Sequence, residues 1–281
     1  MHLASILGEP VVDAEEEAFV VFSQAIPSQS LGFIDPKAST LEINVGGHDL
    51  TIHQSRGLLE STRKEGTTGA VVWKVTPLFA TWISSPNNFL TTTSLLTPTS
   101  TVVELGAGVS GIVALALGPQ VSLYTTTDQT YVLKLLRQNI AENLNTVFPQ
   151  SRKGKAKQSD YGNRIKCEAL DWETDSVSNL DPVDLVIACD CIYNESLIEP
   201  LNSTAAAICR LRASGSSGNS SSSEAKPTLC LIAQQLRSPD VFEAWLKSFC
   251  EKFTVWQVPD SLLDAGLREG SGFVVHVGIV K

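Results

Sequence analysis

The stretch VVELGAGVSGI, Val102 to Ile112, combines a phosphate-type loop with a carboxylate. Its glycines are spaced G-x-G-x-x-G directly after a strand-like run, as in loops whose backbone N–H groups hold a dinucleotide pyrophosphate at a helix N-terminus. Glu104 stands two residues before the first of these glycines and would repel a pyrophosphate placed there. The stretch therefore indicates a ligand site and raises the question of which ligand tolerates the carboxylate.

A ligand with an ammonium and a sulfonium but no phosphate fits both halves of this stretch. S-adenosylmethionine is such a cofactor: its cationic end would tolerate Glu104, and its carboxylate could use the loop N–H groups. Asp128 ends the next strand-like run, close to the spacing of roughly 20 residues expected for an acid that binds ribose hydroxyls. The pattern favours a methyltransferase, with a nicotinamide or flavin enzyme and a nucleotide-free binding protein as the alternatives.

The chain that must position these residues alternates short apolar runs with helical periods from Thr101 onward. In one helical segment Leu133, Leu136, Ile140 and Leu144 recur at helical spacing, so one of its faces is buried. Near-continuous apolar strands separated by helices predict a mostly parallel sheet covered on both faces, a doubly wound α/β fold. The last two runs, FTVWQV and GFVVHVGIVK, have no convincing helix between them and predict a final antiparallel pair.

Composition narrows the class of protein. The 281 residues suffice for one substantial domain with a short extension, and a net charge of -9 argues against a nucleic-acid binder and suits a basic protein partner. No apolar run reaches the roughly 18 residues that span a bilayer. The six cysteines form no C-x-x-C pairs and are interpreted as reduced core thiols. We expect a monomer in the cytoplasm, with the nucleus as a second location.

Several segments lie outside the alternating part of the chain. Residues 1–35 lack a sustained period and are interpreted as a loosely attached lead-in, and STLEINVGGHDLTIHQ predicts a β-hairpin around Gly46-Gly47. We assign residues 1–67 to an N-terminal extension and 68–281 to the main domain. The basic segment 150–163 and the Ser/Gly-rich segment 213–226 are interpreted as surface insertions. Only the basic one is considered for contact with nucleic acid.

Four pieces of the chain together resemble a known family. They are TTGAVVW ending at Trp73, VVELGAGVSG, ALDW ending at Trp172, and DCIY from Asp190 to Tyr193. Their order and spacing are similar to the seven-stranded, S-adenosylmethionine-dependent protein lysine methyltransferases, also called family 16 or methyltransferase-like 21. The wider stretch around TTGAVVW looks most like the fungal ribosomal lysine methyltransferase 5 branch. The resemblance implies a Rossmann-like methyltransferase fold and a lysine of a large-subunit ribosomal protein as the methyl acceptor.

The resemblance also implies roles for individual residues. Asp128 would hold the ribose of the cofactor, Asp171 and Trp172 would border its adenine, and Ala188 would leave room for it. Around its methionine end the resemblance and the charge argument together place five residues: Trp73, Glu104, Gly106, Ala107 and Gly108. For the two tryptophans the alternative is ordinary packing in the core. No metal site is expected.

The reaction implied by the resemblance is an in-line methyl transfer to a neutral amine. A lysine amine with an unperturbed pKa of about 10.4 must first lose a proton, which desolvation and the nearby sulfonium promote. Asp190 is assigned to capture and orient the lysine, and Tyr193 to wall its channel. The alternative for Asp190 is to cap the following helix. A chaperone or elongation factor is the alternative target, and a non-catalytic binding module the alternative from another class.

Overall fold

The computed structural model describes residues 3–28, 30–60, 67–148, 163–214 and 226–281. The chain forms two compact units, one of Ser30–Leu170 and one of Met1–Gln29 with Asp171–Lys281. The two segments interpreted as insertions fall mostly outside the described residues. Of the helices in the described ranges, none is both long and apolar enough to cross a membrane. The domain boundary expected between residues 67 and 68 stays a prediction.

Within the described ranges, nine strands form a hairpin and a larger sheet. They are β1 (Thr40–Val45), β2 (His48–His53), β3 (Thr101–Leu105), β4 (Leu123–Asp128), β5 (Ile165–Ala169), β6 (Leu185–Cys189), β7 (Leu229–Gln235), β8 (Phe253–Gln257) and β9 (Phe273–Val280). The last seven form one sheet in the order β5-β4-β3-β6-β7-β9-β8. Pairs β3–β4, β4–β5 and β6–β7 are parallel, whereas β7–β9 and β8–β9 are antiparallel. The mostly parallel seven-stranded α/β fold is thereby confirmed, and so is its antiparallel end.

Nine α-helices and five short 3-10 turns of the described residues precede the strands or connect them. The helices are α1 (Ala4–Leu7), α2 (Ala14–Ser23), α3 (Arg56–Leu59), α4 (Val75–Ile83), α5 (Phe89–Thr92), α6 (Ile112–Leu117), α7 (Leu133–Val147), α8 (Ile198–Ser214) and α9 (Pro239–Lys252), counted over the described residues. The 3-10 turns are Thr68–Ala70, Gly118–Gln120, Glu195–Leu197, Asp260–Leu262 and Ala265–Leu267. The leucine and isoleucine face predicted for α7 is buried.

In the unit Ser30–Leu170, the predicted hairpin is confirmed. Strands β1 and β2 pair antiparallel from Thr40↔His53 to Val45↔His48, and the turn between them is Gly46-Gly47. Both glycines have positive φ, 57° and 85°, a backbone region that side chains other than glycine's disfavour. Helix α7 packs against β2 in this unit. The hairpin is therefore an integrated part of this unit.

In the other unit, the expectation of a loosely attached N-terminus is wrong. Val11 donates its backbone N–H to the Val255 carbonyl at 2.8 Å, and the Trp256 indole donates to the Gly8 carbonyl at 3.1 Å. Helix α2 packs on α9, where the rings of Phe22 and Phe242 lie 5.6 Å apart. The buried positions of this segment are few and mostly small, so they produce little hydrophobic periodicity in the sequence.

Candidate active site

The glycine loop follows β3 and turns sharply because three of its residues have left-handed backbone conformations. Gly106, Gly108 and Gly111 have φ of 67°, 62° and 61°. A Cβ on Gly111 would stand 2.8 Å from Ile140 Cγ1, so this glycine lets the loop and α7 pack closely. The predicted G-x-G-x-x-G pattern therefore corresponds to a real structural requirement at all three positions.

The amides of this loop already have acceptors within the protein. The Ala107 N–H donates to the Thr127 carbonyl at 3.1 Å, and the Val109 N–H donates to the Gly69 carbonyl at 2.8 Å. The Gly108 N–H donates to Asp128 Oδ2 at 2.8 Å. These three N–H groups thus fix the loop itself, which differs from the predicted use of loop amides as donors to a ligand carboxylate.

Glu104, which the sequence predicts beside the methionine end of the cofactor, is buried. Its side chain lies within β3 at 2 % exposure and accepts a hydrogen bond of 2.9 Å from the Tyr124 hydroxyl. Burial raises the pKa of this carboxyl to about 8, against the opposing effect of the Tyr124 hydrogen bond. Glu104 is therefore mostly protonated near neutral pH, because four of the five β3 residues are enclosed by the protein.

Asp128 stands at the end of β4 and connects the loop to this strand. Besides the bond from Gly108, it accepts the Gln129 N–H at 2.7 Å, and its backbone carbonyl accepts the Leu170 N–H at 3.0 Å. Burial raises the pKa of the carboxyl to about 6, although both N–H bonds favour the ionised form. The residue is only partly buried, and each carboxylate oxygen keeps a second lone pair beyond the N–H bond that it accepts.

The TTGAVVW segment lies against the glycine loop in the same unit. A Cβ on Gly108 would stand 3.1 Å from the Gly69 carbonyl oxygen, so the two backbones are in close contact. The half-buried Trp73 donates its indole N–H to the Thr68 carbonyl at 3.1 Å, and its ring lies 4.5 Å from that of Phe33. The structure thus brings Trp73, the glycine loop and Asp128 into one neighbourhood of the unit Ser30–Leu170.

Asn139 is a site-shaping residue that the sequence reading missed. Fully buried in α7, it donates from Nδ2 to the Val109 carbonyl at 2.7 Å and to the His53 carbonyl at 2.9 Å. Its Oδ1 accepts the His53 N–H at 2.8 Å. One side chain thereby links the glycine loop to the edge of β2. The available signal was an asparagine on the apolar face of the helix, next to Ile140.

The other unit contains the predicted adenine-side residues. Asp171 Oδ1 accepts the Glu173 N–H at 2.9 Å and so shapes the turn after the ALDW segment. Trp172 is half-buried, and its indole Nε1 is enclosed without a hydrogen-bond partner among the described residues. Such an orphaned donor fits a ligand that supplies an acceptor. Ala188 is fully buried inside β6.

Asp190 follows β6 with a left-handed φ of 58°, and its carboxylate is committed to an ion pair. Arg237 donates to both carboxylate oxygens at 2.7 Å, and the Gln235 N–H adds a third bond at 3.2 Å. The Asp190 side chain is 1 % exposed. It therefore neither caps the next helix nor offers an open carboxylate to an incoming lysine. Tyr193, at 38 % exposure, stays accessible.

The Asp190 ion pair arises from the parallel pairing of β6 and β7. Cys189 lies opposite Ala233, and the Asp190 N–H donates to the Ala233 carbonyl at 2.7 Å. The ends of the two strands are thus adjacent, which places Arg237 two residues beyond β7 within reach of Asp190. Arg237 lies 47 positions after Asp190 in the sequence, so the sequence pattern did not identify it as the partner of Asp190.

Within the ranges that the structure describes, no group of three or more metal-binding side chains assembles.

Comparison with known proteins adds the evidence of relatives. Residues 52–214 match the lysine methyltransferase family. Ribosomal lysine N-methyltransferase 5 of Zygosaccharomyces rouxii is 32% identical over 71% of this chain and 70% of its own length. The protein of the same name in Eremothecium gossypii is 31% identical over 62% of this chain and 69% of its own length.

A relative with a different name also matches. Diaminohydroxyphosphoribosylamino-pyrimidine deaminase of Schizosaccharomyces pombe is 28% identical over 87% of this chain, which spans about half of it, 53%.

Proposed function

Because the chain belongs to the lysine methyltransferase family, we propose that it transfers a methyl group from S-adenosylmethionine to a lysine of a ribosomal protein. The reaction class and the methyl donor follow from the family. The ribosomal target is supported by relatives named ribosomal lysine N-methyltransferase 5. The observation that carries the proposal is the glycine loop fastened through Gly108 to Asp128 at 2.8 Å.

The described residues fit this methyl donor, which supplies an electrophilic methyl group on a sulfonium when bound. Asp128, with a pKa of about 6, is largely ionised at neutral pH and accepts hydrogen bonds from ribose hydroxyls through the remaining lone pairs of its carboxylate. Trp172 and Asp171 border the adenine. Trp172 also offers its unpartnered indole N–H to this ligand. Trp73 presents an aromatic face suited to a cation. The loop backbone at Gly106, Ala107 and Gly108 lets the methionine end of the cofactor approach closely. The small side chain of Ala188 leaves space for the cofactor.

Glu104 lies in β3, the strand that leads into the glycine loop. A cationic ligand nearby favours the ionised carboxylate, which the Tyr124 hydroxyl stabilises by its hydrogen bond of 2.9 Å. The role proposed for Glu104 is therefore a buried countercharge that ionises when the site is filled.

Asp190 serves as a positioning residue for the lysine channel, and Tyr193 contacts the lysine stem. An open carboxylate beside the amine would raise the pKa of the lysine and keep it protonated. The Arg237 guanidinium neutralises Asp190, so the pair orders the segment leading to Tyr193 without that penalty. Proton loss from the amine is then left to desolvation and to the positive charge of the methyl donor.

The test is methyl transfer in an extract from cells that lack the protein. Purified protein is incubated with methyl-labelled S-adenosylmethionine and the extract, and labelled bands are identified by mass spectrometry. We expect a labelled lysine on a large-subunit ribosomal protein. An Asp128→Asn variant, which keeps the side-chain shape but loses the charge, should need more cofactor for the same label.

Each other outcome of this assay removes one part of the proposal. Label on a chaperone or elongation factor keeps the reaction class and discards the ribosomal target. Cofactor binding without any label favours a binding module, and binding of a nicotinamide cofactor alone favours an oxidoreductase. A monomeric enzyme of the cytoplasm, with the nucleus as a second location and with any nucleic-acid contact limited to the basic segment 150–163, completes the proposal.

A further inference from the structure

A small cleft adjoins the Asp190–Arg237 ion pair within the unit that contains residues 171–281. Its walls come from the segment after β6, the end of β7 and the first turns of α9, and we call it the Gln234 cleft. The lining side chains that matter here are Ile192, Tyr193, Gln234, Arg237, Val241 and Phe242. Apart from Tyr193 and Arg237, none of them has a role in the cofactor or lysine assignments above.

Gln234 lines this cleft and has an unused hydrogen-bond donor. The residue is 2 % exposed, and its side-chain Nε2 is enclosed without a hydrogen-bond partner among the described residues. Buried amide groups in native proteins nearly always meet a partner, because an unmet donor has lost its water and gained nothing. The neighbouring Gln235 differs, since its Oε1 accepts a bond of 3.1 Å from Arg237. Gln234 is thus the residue of this pair that awaits an acceptor.

The charge balance of the cleft selects a neutral acceptor. Arg237 is the charged side chain of the described lining, and it is matched by Asp190 through two bonds of 2.7 Å. A ligand carboxylate would have to compete with Asp190 for the guanidinium, and a ligand ammonium would meet an unpartnered N–H donor. A peptide carbonyl meets neither obstacle.

The remaining walls suit the apolar part of a peptide. Ile192 and Phe242 are buried at 4% and 3% exposure, and the ring of Tyr193 is accessible at 38%. Together with Val241 they border the amide of Gln234 with hydrocarbon. A polar donor surrounded by apolar walls orients an extended peptide, because the carbonyl is fixed while its side chain packs.

We propose that the Gln234 cleft holds a backbone carbonyl of the protein substrate, next to the lysine that enters along Tyr193. This inference rests on the proposed function and adds a specificity contact to it. Gln234 donates its side-chain N–H to the carbonyl, and the apolar walls accept the neighbouring side chain. The cleft therefore selects substrates by the conformation of the segment around the lysine.

A Gln234→Met variant tests this contact. Methionine keeps the length of the side chain and removes the amide, and the readout is steady-state methylation of the substrate protein isolated from cells lacking the enzyme. We expect the KM for that protein to rise roughly tenfold, which corresponds to about 1.4 kcal/mol. The kcat and the KM for S-adenosylmethionine should stay within about twofold, since a single substrate contact is lost.

Two further variants separate the possible results. Gln234→Glu replaces the donor by an acceptor and should weaken protein binding further, whereas unchanged or tighter binding would mean that the cleft takes an ammonium. Gln138→Met makes the same exchange at an exposed glutamine of α7 and should leave all constants unchanged. An unchanged protein KM in Gln234→Met, with an active wild type, would overturn the inference alone. An inactive wild type would instead overturn the proposed function.

Discussion

Glu104 makes the stability of the protein depend on pH. Its folded-state pKa of about 8 lies above the ordinary value of 4.5, because burial penalises the charged form. Below pH 4.5 the Glu104 carboxyl is protonated in both the folded and the unfolded chain, so its full contribution to stability is present. Between these values the unfolded chain releases the proton while the folded one keeps it, so stability falls as pH rises towards 8.

We therefore expect Glu104→Gln to flatten the stability profile between pH 6 and 8. In this window the wild type should lose up to about 1.4 kcal/mol per pH unit through this group. Urea unfolding at several pH values measures the slope. Asp128, with a pKa of about 6, has largely completed its own contribution below this window. Equal slopes in wild type and variant would show that Glu104 is ionised in the folded state.

Asp190 and Arg237 should stabilise the protein only as a pair. Arg237→Met leaves a carboxylate of 1 % exposure without its two charged bonds, which typically costs about 3–5 kcal/mol. Asp190→Asn combined with Arg237→Met should cost much less than the sum of the single changes, because no unpaired charge remains. Denaturant unfolding of the two single variants and the double variant gives the coupling. Additive losses would mean that the ion pair does not exist in solution.

At the scale of elements, two asparagines of α7 hold the hairpin, but only one of them reaches the glycine loop. Asn143 accepts the Thr51 N–H at 3.0 Å and donates to the Thr51 carbonyl at 2.8 Å. Asn139 repeats this pattern at His53 and additionally donates to Val109. Side-chain amides thus satisfy backbone groups at the edge of β2 that would otherwise lack partners.

This difference predicts a split between stability and cofactor binding. Asn139→Leu and Asn143→Leu should both destabilise the fold, by about 1–3 kcal/mol for each buried group left unpaired. Only Asn139→Leu should also weaken S-adenosylmethionine binding, by roughly fivefold to tenfold, because it frees the carbonyl of Val109 in the loop. Calorimetric titration of both variants at a temperature where both are folded decides this. Equal cofactor affinities would argue against a loop-positioning role for Asn139.

The sequence predicted secondary-structure elements better than it predicted the partners of individual side chains. The alternation of apolar strands and helical periods from Thr101 onward correctly predicted the parallel sheet and its antiparallel end, since period and burial are local properties. The buried Glu104 and the partner of Asp190 were not predicted. Each depends on a residue distant in sequence, Tyr124 and Arg237, that the fold brings into contact. Periodicity does not report such pairings.

At the scale of the whole molecule, the sequence pattern also did not predict which segments of the chain form each compact unit. The first 29 residues belong with residues 171–281, although 141 residues separate them. Helix α2 buries Ala14, Ala18 and Val21 but exposes Phe19 and Val20, so its apolar residues are spread around the helix and mark its packed face poorly. Its contacts with α9 come from tertiary structure, which overrides a weak local pattern.

The N-terminal segment should therefore stabilise the folded chain. Deleting residues 1–24 exposes apolar surface of α9 and removes the hydrogen bonds from Val11 and to Gly8. The melting temperature should therefore fall by several degrees, since about 1 kcal/mol shifts it by roughly 2–4 °C in a protein of this size. Val21→Ala, at 3% exposure, should cost about 1–2 kcal/mol. Phe19→Ala, at 75% exposure on the same helix, should change stability by less than about 0.5 kcal/mol. The N-terminal segment would be loosely attached after all if Phe19→Ala lowered the melting temperature more than Val21→Ala does. The same conclusion would follow if the deletion variant melted at the wild-type temperature.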